Sequence, residues 1–295
     1  MKDKEGKTEH AKIRVISYPN SGRTWLRALP DFVVIGSHKC GSSSLYYYLS
    51  QHPQILPAAV KEVHFFDGNF EKGPLYYRAY FPLRSEIDDR KKQLAKTVIT
   101  GEATPNYLFF PHVPRRMAQV VPEAKLIVLL RDPVHRAFSH YMHNRRSKHR
   151  KTDREPLSFE EAIAQESERL RGERERMLAE ESYYSNAYRF YAYCQRGIYV
   201  EQLQEYGKFF DRSRIFVLKS EDFFNNTAEA YGRVLKFLGL DPHVPADLHA
   251  KNTGRYSKEE RDSDGRLQNV LAQLRDFFKP HNQRLYDYLQ RDLGW

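Results

Sequence analysis

The 295-residue chain has two cysteines, Cys40 and Cys194, two tryptophans and four methionines. Two distant cysteines cannot staple a small secreted fold or build a cysteine zinc site, so a reducing, cytoplasmic setting is the expectation. Long apolar runs are missing too: nothing approaches the roughly 20 consecutive apolar residues of a membrane-spanning helix. Residues 1–12 are charged and no apolar segment follows them, so no secretory leader is expected. Acidic residues are in deficit, 38 Asp and Glu against 48 Lys and Arg, which leaves a formal charge of +10. Such an excess favours anionic ligands: nucleotides, sulfated or phosphorylated sugars, nucleic acid or acidic membranes.

The composition that remains suits a folded enzyme, with 40% hydrophobic and 14% aromatic residues and enough length for a substantial core. Short apolar runs stand at Phe32–Ile35, Thr97–Thr100, Leu126–Leu130 and Ile215–Leu218. They are continuous rather than alternating, as in strands buried on both faces. Helical patterns lie between and after them, at Ser42–Gln51, His112–Val120, Val134–Arg145, Ser158–Glu181, Val200–Phe209, Thr227–Leu238, Asp262–Phe278 and His281–Leu289. The pattern predicts an α/β chain, a P-loop-like three-layer fold whose central parallel sheet of about five strands is flanked by helices. Asp132 before Pro133 reads as an N-cap, and Gly239 as a C-cap. The charged stretch 145–182 reads as a solvated loop and exposed helix, and the tyrosines that follow as core.

Residues 32–44 carry the strongest chemical signal. An apolar strand runs into Gly36-Ser37-His38-Lys39-Cys40-Gly41 and then into a helix beginning Ser42-Ser43-Ser44. Loop amides, a helix N-terminus and a lysine together make a cradle for phosphate or sulfate. The nucleotide-hydrolase loop has the spacing G-x-x-x-x-G-K-S/T. Gly36 and Gly41 match it, but Ser42 occupies the lysine position and the lysine sits at Lys39. The cradle therefore points away from Mg-ATP and toward another anionic nucleotide. A second strand–loop–helix pattern spans Ile13 to Leu26, through Tyr18-Pro19-Asn20-Ser21-Gly22-Arg23-Thr24-Trp25. It lies too close to Phe32 for a normal parallel crossover, which needs about 30 residues. Residues 1–30 are accordingly read as an extension carrying a degenerate phosphate loop, and residues 31–295 as one domain.

Three further segments make the loop interpretable. In Lys61-Glu62-Val63-His64-Phe65-Phe66, an acid and an imidazole two residues apart would share one side of an extended segment. Thr100-Gly101-Glu102-Ala103-Thr104-Pro105 is an acidic strand end opening into a turn. At Arg131-Asp132-Pro133 an arginine leaves a buried strand, and Ser139 follows about two turns into the next helix. Arg131 and Ser139 are placed to share one phosphate, although Arg131 could instead pair with Asp132 or Glu102.

In order and spacing these motifs resemble the PAPS-dependent sulfotransferases, in the branch of the heparan sulfate sulfotransferases and their bacterial relatives. The resemblance runs over residues 31–295 and includes the ending Phe277-Phe278-Lys279-Pro280-His281-Asn282. It implies sulfuryl transfer from PAPS, with no metal required, to a hydroxyl or amine of a carbohydrate, lipid headgroup or small metabolite, and release of PAP. Ser37, His38, Lys39, Cys40, Gly41, Ser42, Ser43 and Ser44 would hold the 5′-phosphosulfate. Arg131 and Ser139 would hold the 3′-phosphate. Glu62 would be the base, assisted by His64, although His64 could contact the acceptor or be the base itself; Lys39 would stabilise the leaving phosphate. Lys251 and Arg255, in a basic Gly-containing loop, are further candidates for the nucleotide. The segment at Tyr18–Leu26 is similar to the equivalent loop of the cytosolic branch. Two departures weigh against a heparan acceptor: Ala103 stands where the heparan enzymes carry a lysine, and Cys40 and Cys194 cannot form their C-terminal disulfide loop.

A kinase or NTPase would use the same cradle but would want a lysine at position 42. A nucleic-acid binder would exploit the basic run 145–151, yet no recognised binding motif accompanies it. His135, His140 and His143 form a weaker candidate for a metal site.

Overall fold

The computed structural model describes residues 23–146, 154–249 and 265–295. Its centre is a five-stranded, wholly parallel sheet of β1 (Phe32–Gly36), β2 (Ile55–Pro57), β3 (Ile99–Ala103), β4 (Lys125–Leu130) and β5 (Ile215–Lys219), in the order β2-β3-β1-β4-β5. The four strands expected from the sequence are all present, with ends shifted by up to three residues. The fifth, β2, was not legible as a strand. It is a three-residue edge strand ending in proline, a residue that cannot serve an interior ladder.

Side-chain alternation explains the three layers. Val33 and Ile35 of β1, with Leu126, Val128 and Leu130 of β4, enter the larger core. Phe32 and Val34, with Ile127 and Leu129, enter a second core on the other face. One strand thus feeds two hydrophobic layers, which is why its sequence is continuously apolar. The second core is closed by α1 (Ser42–Leu49) and by the helix Thr227–Leu238. The larger core is covered by α2 (Phe65–Gly68), α3 (Gly73–Arg78), α5 (Val113–Val120) and α6 (Pro133–Arg145), together with later helices; α4 (Arg84–Leu94) lies more peripherally.

Local signals behave as the sequence predicts at several termini. Asp132 caps α6, its Oδ1 accepting the N–H groups of Val134 (2.8 Å) and His135 (3.1 Å). Gly239 ends Thr227–Leu238 in the left-handed conformation, φ 79°. Two expectations need correction. Ser158–Glu181 is three short helices, Phe159–Ala164, Glu166–Arg169 and Glu173–Ala179; Gly172, at φ 73°, opens the third of them. Conversely, one helix, Gly265–Leu289, runs through Pro280 where the sequence pattern predicts two. The tyrosines after residue 182 are largely core, with Tyr193 fully buried and Tyr188 stacked on Phe109 at 4.1 Å.

The phosphate-loop-like segment of residues 13–22 lies outside the described residues; Thr24–Leu26 at its end forms one 3-10 turn.

Candidate active site

All five strands point their carboxyl ends the same way, and the loop after β1 emerges at the centre of that edge, where open parallel sheets place their ligands. The turn requires two glycines. A Cβ on Gly36 would lie 2.5 Å from Leu108 Cβ, so only glycine lets β1 pass that close. Gly41 has φ 101°, and a Cβ there would meet the Phe224 ring at 2.8 Å. β4 and the helix that starts after β5 pin the loop: the Ser37 N–H donates to Leu129 O at 2.7 Å, and Ser220 Oγ donates to the Cys40 carbonyl. Gly41 is also the N-cap of α1 and has no side chain to close the helix end. The first-turn amides therefore face the mouth of the loop, an arrangement that fits an anion.

Arg131 enters the same mouth. Its carbonyl accepts the Tyr199 hydroxyl at 2.8 Å, and the next residue, Asp132, donates its N–H to Glu221 Oε1 at 3.0 Å. So held, the guanidinium donates from Nη1 to Lys39 O at 3.4 Å. Burial and then the nearby Arg131 charge push the Lys39 ammonium below its ordinary pKa, a like-charge crowding that an anion would relieve. Neither alternative partner takes Arg131. Asp132 caps α6, and Glu102 is fully buried and receives hydroxyls from Tyr77 (2.7 Å), Thr104 (2.6 Å) and Tyr107 (3.1 Å). Burial raises the Glu102 pKa in spite of these donors.

Glu62 and His64 do converge, but not along an extended segment as expected. Both residues are left-handed, φ 66° and φ 53°, each an unfavourable conformation for a side-chain-bearing residue. The Glu62 N–H is anchored on Ala103 O at 2.9 Å, and the Phe65 N–H on Tyr107 Oη at 2.9 Å. The result is a row of alternating charges. Lys61 Nζ contacts Glu62 Oε1, Glu62 Oε2 faces His64 Nε2 at 3.6 Å, and His64 Nδ1 meets Asp67 Oδ2 at 2.8 Å. Burial pushes the Glu62 carboxyl up, but His64 and Lys61 outweigh it and hold the group at about 2. Burial likewise pushes His64 down, and Asp67 and Glu62 override it to about 9. Lys39 senses the charges of both Glu62 and Lys61, so the row borders the phosphate loop. Asp67 was missed from the sequence. The available signal was an acid three residues after His64, which becomes one helical turn only because α2 begins at Phe65.

The other predicted residues are distributed as follows. Ser42 and Ser44 are buried in the first turn of α1, and Ser43 is partly exposed. Cys40 is buried and lies beside Tyr199, whose hydroxyl reaches Arg131 O. Ser139 is buried on α6, the helix that follows Arg131. His38 packs edge-on against His140 (4.8 Å) and His143 (5.6 Å), and burial then neighbouring cations hold its pKa well below the usual range. These ring contacts replace the metal site suggested for His135, His140 and His143; among the described residues no three His, Cys, Asp or Glu side chains converge on a metal position. Lys251 and Arg255 lie outside the described residues. Among the described residues no helix is long and apolar enough to cross a membrane.

Residues 29–256 match the family model described as the sulfotransferase domain. A solved sulfotransferase from Alicyclobacillus acidocaldarius superposes with a TM-score of 0.63 at 31% identity, over 90% of this chain and 98% of that one. The membrane-associated sulfotransferase kil1 of Dictyostelium discoideum is 26% identical over 92% of this chain and 67% of its own length. The heparan sulfate glucosamine 3-O-sulfotransferase 3B1 of Mus musculus is 28% identical over 91% of this chain and 65% of its own. The chain thus spans about two thirds of the length of these curated relatives.

Proposed function

Since this chain belongs to the sulfotransferase-domain family, we propose that it transfers a sulfuryl group from PAPS to a hydroxyl or amine of an acceptor and releases PAP. The observation that carries the proposal is the junction of two arrangements at one sheet edge. A cationic cradle built on Lys39 and Arg131 adjoins the row Lys61–Glu62–His64–Asp67.

In this reading the loop 37–44 receives the 5′-phosphosulfate, and Arg131 with Ser139 takes the 3′-phosphate that distinguishes PAPS from ATP. Lys251 and Arg255, outside the described residues, are further candidates for contact with the nucleotide. Glu62 removes the acceptor's proton, and His64, braced by Asp67, fixes the orientation of that carboxylate. Transfer is in line, so positioning and charge stabilisation supply most of the acceleration, as in phosphoryl transfer. Lys39 meets the negative charge that grows on the departing phosphate. A saccharide acceptor is favoured because the murine relative is named as a heparan sulfate glucosamine 3-O-sulfotransferase. Residues 31–295 form the transferring domain, and residues 1–30 an extension to it.

Calorimetry without Mg²⁺ tests the reading. Micromolar PAP binding, with much weaker ADP binding, is the expected result. Preference for Mg-ADP would replace the proposal with a kinase-like one. Transfer of labelled sulfate from PAPS to a panel of amino sugars, oligosaccharides and lipid headgroups then identifies the acceptor.

A further inference from the structure

Lys61 presents a conflict between the resting arrangement and the chemistry. Its one hydrogen bond among the described residues goes to Glu62 Oε1, while Glu62 Oε2 faces His64. Both oxygens of the candidate base are therefore engaged. A carboxylate held at about 2 is a weak proton acceptor, because general-base efficiency follows basicity. One of the two cationic partners must yield during the reaction. His64 is braced from behind, by Asp67 at 2.8 Å on its ring and by Asn69 Nδ2 at 2.7 Å on its carbonyl. Lys61 has no such brace. Its side chain is only 11% exposed, so the ammonium cannot simply retreat into solvent. The other charges around Glu62 are His64 and Asp67 on the same segment and Lys39 across the phosphate loop.

We propose that Lys61 exchanges partners during the cycle, held by Glu62 until the nucleotide arrives and then drawn onto the anionic phosphosulfate beside Lys39. The inference rests on the sulfuryl-transfer reading above. Exchange leaves Glu62 Oε1 to accept the proton of the acceptor's hydroxyl. As that proton moves, the acceptor oxygen bonds to sulfur and the bond from sulfur to the bridging oxygen breaks. Its electron pair stays on that oxygen, which becomes part of the 5′-phosphate of PAP. One positive charge thus changes from suppressing the base to stabilising the leaving group. A compact ammonium on a flexible four-carbon stem suits such a move better than a planar guanidinium would. The device also orders the reaction, since the base gains strength only when the donor is in place.

The test is the titration of the Glu62 carboxyl, followed by carbon-13 NMR in wild-type and Lys61→Met protein with and without PAP. Without PAP, the variant should titrate about 1–3 pH units higher than wild type, the effect of removing an adjacent opposite charge. PAP should raise the wild-type value by about one unit or more and leave the variant nearly unchanged. A wild-type titration that PAP does not move overturns the exchange, as does a variant titrating like wild type. PAP binding is measured separately by calorimetry. Its absence would overturn the sulfuryl-transfer reading and the exchange with it, whereas PAP binding with an unmoved carboxyl overturns the exchange alone.

Discussion

Asp67→Asn isolates the charge behind His64. The carboxylate is buried and its Oδ2 lies 2.8 Å from His64 Nδ1, so the amide can keep the contact through its oxygen while losing the charge. In the wild-type protein Asp67 and Glu62 overcome burial and raise His64 from 6.5 to about 9. At ~1.4 kcal/mol per pH unit, that displacement corresponds to about 3 kcal/mol shared between the two acids. Loss of one adjacent charge should lower the imidazole by about 1–3 units. The sign follows from the raised value: the protein gains stability where the folded histidine binds a proton more tightly than the unfolded one does. That gain is complete below pH 6.5 and is lost as pH rises through about 9. The variant should therefore be less stable than wild type at pH 6 by roughly 1.4–4 kcal/mol, and the gap should close toward pH 9 and above. Histidine NMR gives the titration, and urea unfolding at a series of pH values gives the gap. A variant whose His64 still titrates near 9, or a stability gap independent of pH, would refute the reasoning.

Three other substitutions probe the site. Glu62→Gln should keep PAP affinity while turnover falls by roughly 10²–10⁴, the usual contribution of a general base; undiminished turnover would remove Glu62 from that role. Arg131→Ala should weaken PAP in calorimetry by roughly tenfold to a hundredfold, the equivalent of about 1.5–3 kcal/mol for a hydrogen bond to a charged group, and should leave ADP binding little changed. Gly41→Ala places a Cβ at φ 101° and 2.8 Å from Phe224; it should cost about 1–3 kcal/mol in denaturant unfolding and reduce PAP affinity.

How much of this could be read from the chain depends on the kind of signal. Phe32–Gly36 and Lys125–Leu130 were visible because burial on both faces demands an uninterrupted apolar run. Ile55–Pro57 was invisible because a three-residue edge strand needs no such run. Its position is set by pairing with Ile99–Gly101, a contact between residues distant in sequence. The cradle was legible because Gly36, Lys39, Gly41 and the helix after them are consecutive. The junction of Lys39 with Arg131 was inferable only through family resemblance, since it depends on β1 and β4 being neighbours. The Glu62–His64 pairing was anticipated on the wrong geometric ground. Alternation in a strand suggested a shared face; the actual row is formed by two left-handed residues anchored by Ala103 and Tyr107. No pattern in sequence announces that conformation for Glu and His, because what enforces it is tertiary.

The charge layout explains why such strain is tolerated. Lys39 and Arg131 crowd the loop, and behind them Arg136 and Arg196 are almost completely buried. Burial, then the proximity of Arg136, brings even the Arg196 guanidinium down to about 9. The Arg136 charge reaches the buried carboxylate Glu166, whose oxygens already accept the N–H groups of Cys194 (2.6 Å) and Gln195 (2.8 Å). Lys39, Arg131, Arg136 and Arg196 thus all bring positive charge to the loop residues His38, Lys39 and Cys40. Like charges gathered in a low-dielectric interior weaken the fold, but the cost is met at folding and not during the reaction. In the proposed reading, a polyanion entering the cradle meets donors that the fold has already oriented. Before the nucleotide arrives, the same gathering of charge favours a paired base. An unpaired Glu62 carboxylate beside Lys39 would partly cancel the field of the cradle, whereas a carboxylate enclosed by Lys61 and His64 leaves that field to the ligand. The cationic loop and the restrained acid are therefore two parts of one electrostatic design, each making the other workable.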